Sequence, residues 1–135
     1  MRRTALFLSL VLMGVFTASG CHRTAPINNP TSVSGYKKLT QAQVREAIYA
    51  ACLGNRKWKW AARDISSNTI EATVRVRRHT AVVDIIYSPN EYTIRYKSSD
   101  NLGAQNGNIH PNYNSWVKNL RHDIDVELAK QYKNL

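Results

Sequence analysis

Between residues 57 and 97 the side chains alternate between apolar and polar, and this pattern restricts the fold more than any other feature of the chain. Trp58 and Trp60 alternate with Lys57, Lys59 and Ala61. Ile70, Ala72, Val74 and Val76 alternate with Glu71, Thr73, Arg75 and Arg77. Ala81, Val83, Ile85 and Tyr87 alternate with Val82, Asp84 and Ile86, and Tyr92, Ile94 and Tyr96 with Thr93, Arg95 and Lys97. A strand repeats every two residues, so each run sends its apolar side chains to one face. Ser66-Ser67-Asn68, Arg78-His79 and Ser88-Pro89-Asn90 separate the runs, and none is long enough for a crossover helix. Four strands joined in this way predict an antiparallel meander with one wet and one buried face.

A sheet with one apolar face needs a cover, and helical patterns stand on both sides of the strand region. Thr40-Gln41-Ala42-Gln43 has the form of a capping box, with Leu39 and Val44 placed as a hydrophobic staple. Val44, Ala47, Ile48, Ala51 and Cys52 recur at helical spacing until Gly54-Asn55 stops them, which predicts a helix over residues 41–53. Pro111 suits the first turn of a second helix, whose stripe is Tyr113, Trp116, Val117, Leu120, Ile124, Leu128 and Tyr132. The expected fold is α+β in the order α-β-β-β-β-α. It is a two-layer sandwich with a four-stranded antiparallel meander flanked by an N-terminal and a C-terminal helix.

The N-terminus speaks to location. Met1-Arg2-Arg3-Thr4 is basic, and Ala5–Phe16 (ALFLSLVLMGVF) is apolar but short of the about 20 residues a bilayer span needs. Ala18-Ser19-Gly20-Cys21 follows. These features fit a secretory signal, and the last four residues resemble the lipobox of bacterial lipoproteins, with Ala18 where Leu is commonest. The resemblance implies cleavage before Cys21, a diacylglyceryl thioether on its sulfur and acylation of the freed amine. An ordinary signal peptide with a free Cys21 is the alternative. With His22 rather than Asp after the cysteine, the resemblance also implies the outer membrane, facing the periplasm, over the inner membrane. Residues 1–20 are then the signal, 21–38 the lipidated cysteine and a flexible tether rich in Pro, Asn, Ser and Thr, and 39–135 a single domain. Cys52 is left without an intrachain partner, and its place on the apolar stripe predicts a buried thiol.

Lys and Arg total 19 against 9 Asp and Glu, a formal charge of +10. Such an excess attracts anionic surfaces. An acylated, exported chain does not meet cytoplasmic nucleic acid, which leaves peptidoglycan, anionic lipid or an envelope protein as partners, with the bilayer itself held through Cys21. The alternation sends Lys57, Lys59, Arg63, Arg75, Arg77, Arg95 and Lys97 to the wet face with Glu71 and Asp84 among them. That face is either a candidate partner surface or a solvated face whose charges resist aggregation. Trp58, Trp60 and Trp116, with several tyrosines, either line a groove for sugar rings or pack the core, the latter matching their inward positions.

KSSDNL at 97–102 and IHPNYNSWVKNL at 109–120, after the strand YTIRY, form the other distinctive stretch. It is similar to a group of small proteobacterial lipoproteins of unknown function, over roughly residues 56–124. The resemblance implies the same α+β domain and envelope location and no activity. Within it, Asn112, Asn114 and Ser115 suit a helix cap and His110 a hydrogen bond to the loop, while His110, Asn112, Tyr113 and Asn114 are also a candidate pocket at the helix start. No phosphate-binding loop or hydrolase nucleophile motif occurs. His122 and Asp125 lack a third ligand, so neither a metal nor a cofactor is expected. The expected function is non-catalytic: an outer-membrane lipoprotein binding another envelope component through its basic face. The alternative is an inhibitor or immunity lipoprotein acting against a periplasmic or cell-wall enzyme.

Overall fold

The computed structural model describes residues 23–33, 38–54 and 57–135. Cys21, the signal segment and part of the linker lie outside the described residues.

Strands β1 (Ala25–Pro26) and β2 (Thr31–Val33) precede helix α1 (Gln41–Leu53). The strands β3 (Trp60–Ser66), β4 (Thr69–Val76), β5 (His79–Tyr87) and β6 (Glu91–Asp100) follow, then β7 (Asn108–Ile109) and helix α2 (Pro111–Lys133). The main sheet is antiparallel, in the order β2-β6-β5-β4-β3, and β1 pairs with β7 as a separate two-stranded sheet. The architecture is α+β, with the expected meander at its centre.

The helix starts follow the local chemistry read from the sequence. The Thr40 side chain accepts from the Gln43 backbone N–H at 3.2 Å, and the Thr40 N–H donates to Gln43 Oε1 at 2.8 Å. At α2 the cap is His110 itself: Asn112 N–H donates to His110 Nδ1 at 3.2 Å, and Pro111 occupies the first turn. A ring nitrogen two residues before the amide satisfies one of the orphan donors that Asn112 and Asn114 were expected to serve.

Both helices lie on one face of the sheet. Ile70, Ala72, Val74, Ala81, Val83, Ile85 and Ile94 are fully buried beneath them. Val44, Ala47, Ile48 and Cys52 point down from α1, and Tyr113, Val117, Leu120, Ile124 and Leu128 from α2. Each large apolar side chain buried this way contributes roughly 1.5–3 kcal/mol. Polar ties fix α2 over the β2–β6 side. Tyr92 Oη donates to Asp125 Oδ1 at 2.7 Å with the Arg121 carbonyl at 3.1 Å, and the Tyr96 and Tyr113 rings meet edge-on at 5.5 Å.

The structure departs from the sequence reading at four points. The sheet has five strands rather than four, because Thr31–Val33 pairs with Glu91–Thr93. Much of the segment read as a tether therefore lies on the domain. Its backbone is held at the Ile27 N–H by the Gly107 carbonyl (2.9 Å) and at the Pro30 carbonyl by the Ile94 N–H (3.0 Å). Three residues are too few to show alternation, and their partner is far along the chain. The first strand of the meander starts at Trp60, so Lys57, Trp58 and Lys59 form the approach to it. The β4–β5 turn is Arg77-Arg78, since Val76 pairs with His79. Finally, β6 continues past Lys97 to Asp100 through a bulge opposite Val82/Val83, so Ser98, Ser99 and Asp100, beyond the last alternating residue, are strand.

Candidate functional site

The wet face of the sheet carries a charged row set by strand register. Arg63 faces Glu71, Glu71 faces Asp84, and Asp84 faces Arg95. Opposite charges at directly paired positions attract, and the bulge in β6 brings Lys97 over the two acids. Arg63 Nε donates to Glu71 Oε1 at 2.7 Å, and Lys97 Nζ donates to Glu71 Oε2 at 2.7 Å and to Asp84 Oδ1 at 3.2 Å. The Glu71 side chain is 13% exposed, and the Lys97 and Arg63 hydrogen bonds hold its carboxyl below the usual carboxylate range. Glu71 and Asp84 in turn raise the Lys97 ammonium above the ordinary lysine value. The expected basic face is thus largely neutralised at its centre. Arg63 and Lys97 are each engaged with acids of the sheet.

The remaining expected cations go elsewhere. Arg75 and Arg95 are on the wet face, Arg77 is in the β4–β5 turn, and Lys57 and Lys59 precede β3. Lys59, Ala61, Thr73 and Arg75 line a shallow hollow on this face. The β4–β5 turn adds Arg78, which the alternation hid in a connection. Lys57, Lys59, Arg75, Arg77 and Arg78 cluster at one end of the sheet, are exposed, and make no ion pair among the described residues. At the other end of α1 and β3, Arg45 Nε donates to Asp64 Oδ1 at 3.0 Å, which depresses the Asp64 carboxyl.

The three tryptophans converge. Trp58, Trp60 and Trp116 line a hollow between the end of α1, the start of β3 and α2, with Cys52, Asn119 and Asp123. Its free volume is about 20 Å³, room for one water-sized sphere and not for a sugar ring. Trp60 is buried and packs as core, as its inward position predicted. The Cys52 thiol is buried beside it, and desolvation pushes its pKa up to about 12, so it stays protonated.

The four residues proposed at the start of α2 do not form a pocket together. His110 is spent on capping, and its N–H donates to the Leu102 carbonyl at 2.9 Å. Asn112 is exposed, and Tyr113 is fully buried with no partner for its hydroxyl among the described residues. Asn114 binds the N-terminal segment: its Oδ1 accepts from Asn28 N–H at 3.1 Å and its Nδ2 donates to the Pro26 carbonyl at 2.8 Å. An open hollow beside it is lined by Asn28, Pro30, Ser115, Lys118 and Arg121.

Among the described residues, no three His, Cys, Asp or Glu side chains are placed to share a metal ion, and no helix is long and apolar enough to cross a membrane. The chain matches no family model, no curated protein and no solved structure. Its functional reading rests on its own residues.

Proposed function

We propose that this chain is a non-catalytic envelope lipoprotein, acylated at Cys21, held at the outer membrane on its periplasmic side, and binding an anionic envelope component through its unpaired basic residues. The observation that carries this reading is the order of features at the N-terminus: a basic start, the apolar run Ala5–Phe16, and Ala18-Ser19-Gly20 directly before Cys21. Cleavage there takes away Arg2 and Arg3 and no acidic residue, so the domain keeps a strong positive excess. Several acyl chains, at about 0.8 kcal/mol per buried CH₂, make such attachment effectively permanent. Geometry narrows the binding surface. Arg63 and Lys97 are committed to Glu71 and Asp84, which leaves Lys57, Lys59, Arg75, Arg77 and Arg95 for a partner.

Mass spectrometry of the mature N-terminal peptide tests the anchor. The expected result is a triacylated Cys21 and its loss from the membrane fraction in Cys21→Ser. A mature chain with an unmodified thiol at Cys21 overturns the reading.

A further inference from the structure

We infer that the end of the domain built from the β4–β5 turn and the approach to β3 lies directly on an anionic phospholipid surface, with Trp58 at the headgroup level. The inference rests on the acylation of Cys21 proposed above and names the partner of four of those basic residues, Lys57, Lys59, Arg75 and Arg77, joined by Arg78.

Strand pairing fixes which end of the domain carries β1. Arg75 pairs with Thr80, and Thr80 with Asp100. The His79 ring is hydrogen-bonded to the Asn101 carbonyl, and His110 N–H to the Leu102 carbonyl. Ile109, one residue before His110, pairs with Ala25. The β4–β5 turn and β1 therefore lie towards the same end of the main sheet. Arg23 is two residues before Ala25, and Cys21 two before Arg23, a reach of at most about 7 Å. Because the segment after Arg23 is paired to β7, β6 and Asn114, it does not serve as a spacer. An acyl chain on Cys21 brings this end of the domain to the bilayer.

The chemistry of that end matches an anionic headgroup layer. Lys57, Lys59, Arg75, Arg77 and Arg78 are exposed there without ion pairs among the described residues, and Asp100 is the acidic side chain on the adjoining strand end. The acids Glu71, Asp84, Asp64 and Glu127 are each paired elsewhere in the fold. Leu53 and Trp58 add exposed apolar surface at the same end, 64% and 37% exposed, and Lys57 Nζ stands 4.8 Å from the Trp58 ring. Amphipathic aromatics beside lysine and arginine are the composition of a membrane–water interface. Arg77 takes φ 56 in the two-residue hairpin turn, a conformation Gly or Asn adopts at lower cost, and it is exposed at this end.

The test uses the mature chain reconstituted in vesicles of equal parts phosphatidylethanolamine and phosphatidylglycerol, with lipids spin-labelled near the headgroup. Tryptophan fluorescence is expected to be quenched in the native chain and markedly less in Trp58→Phe, and Lys57 and Lys59 to be protected from an amine-reactive reagent. Phosphatidylcholine vesicles or high salt are expected to abolish the protection. Arg77→Gly, which suits the turn, is expected to fold at least as stably and to weaken docking about five-fold, the effect of one charge at an anionic surface. Mass spectrometry of the same sample reads the anchor separately. An acylated chain whose Trp58 is not quenched, or whose lysines stay reactive, overturns the docking and leaves the anchor standing. A chain with unmodified Cys21 that still shows salt-sensitive Trp58 quenching upholds the docking and overturns the anchor. Capture by sedimented peptidoglycan with Trp58 unquenched overturns the docking in favour of the wall.

Discussion

Asn114 holds Asn28 from across the molecule: its side-chain oxygen accepts the Asn28 backbone N–H at 3.1 Å, while its amide nitrogen donates to the Pro26 carbonyl at 2.8 Å. One side chain on α2 thus takes the place of a neighbouring strand for an N-terminal segment that sequence composition marks as linker. Asn29 acts in the same way on the sheet, its Oδ1 accepting from the Tyr96 N–H at 2.7 Å.

Replacing Asn114 by Ala removes both bonds. These groups are near solvent, so water recovers part of the loss, and the expected cost is about 1 kcal/mol of stability. The larger effect is local. Amide hydrogen exchange at Ile27 and Asn28 is expected to accelerate while exchange in β4 and β5 stays slow. Unchanged protection at Asn28 would show that β1 and β2 are held without the clasp.

Tyr92 and Tyr113 are both buried, and their hydroxyls predict opposite outcomes. Tyr92 Oη bonds Asp125 and the Arg121 carbonyl, so Tyr92→Phe is expected to destabilise by about 1–1.5 kcal/mol. Tyr113 Oη has no partner among the described residues, so Tyr113→Phe removes a desolvated hydroxyl and is expected to be neutral or stabilising by up to about 1 kcal/mol. Paired urea titrations decide it; equal destabilisation of the two variants would contradict this assignment.

The ion-pair row on the wet face predicts acid sensitivity. The Glu71 carboxyl is depressed by Lys97 and Arg63, and the Asp64 carboxyl by Arg45. A group whose folded-state pKa is lowered contributes stability that is present above its unfolded value and is lost as the pH falls through the folded one. Stability should therefore decline as the pH drops below about 4.3, the ordinary glutamate value. Glu71→Gln is expected to be less stable at neutral pH and to lose less on acidification. Denaturant midpoints collected down the acid limb measure this, and an identical pH slope in the variant would remove Glu71 as the cause.

Cys52 is expected to behave as a small hydrophobe. Its thiol is buried and its pKa is pushed up to about 12, so little thiolate forms even at mildly alkaline pH. Alkylation in native conditions is expected to be slow and to follow opening of the α1–β3 region. Rapid labelling of the folded chain would place Cys52 at an accessible surface instead.

The sequence by itself determined the meander, both helices and their inward faces. Each of these is a short-range pattern: alternation from Ile70 to Val76 or from Ala81 to Tyr87, a capping box at Thr40, a stripe from Tyr113 to Leu128. Periodicity reports which side of a segment is buried because burial of apolar surface is the dominant favourable term. It also placed Cys52 inside and Glu71 and Asp84 among the cations.

Only the tertiary structure decided which of those cations are free. Membership of a face follows from parity along one strand, but an ion pair depends on register between strands and on the bulge that carries Lys97 over Glu71 and Asp84. The same holds for β2, a three-residue strand that exists because β6 offers it an open edge, and for Asn114, which reads as a helix cap in sequence and serves a segment 86 residues away. Local patterns record what each segment buries. Long-range pairing, written nowhere along the chain, sets the end of the domain at which β1 meets β7 and leaves Lys57, Lys59, Arg75, Arg77 and Arg78 without ion pairs among the described residues.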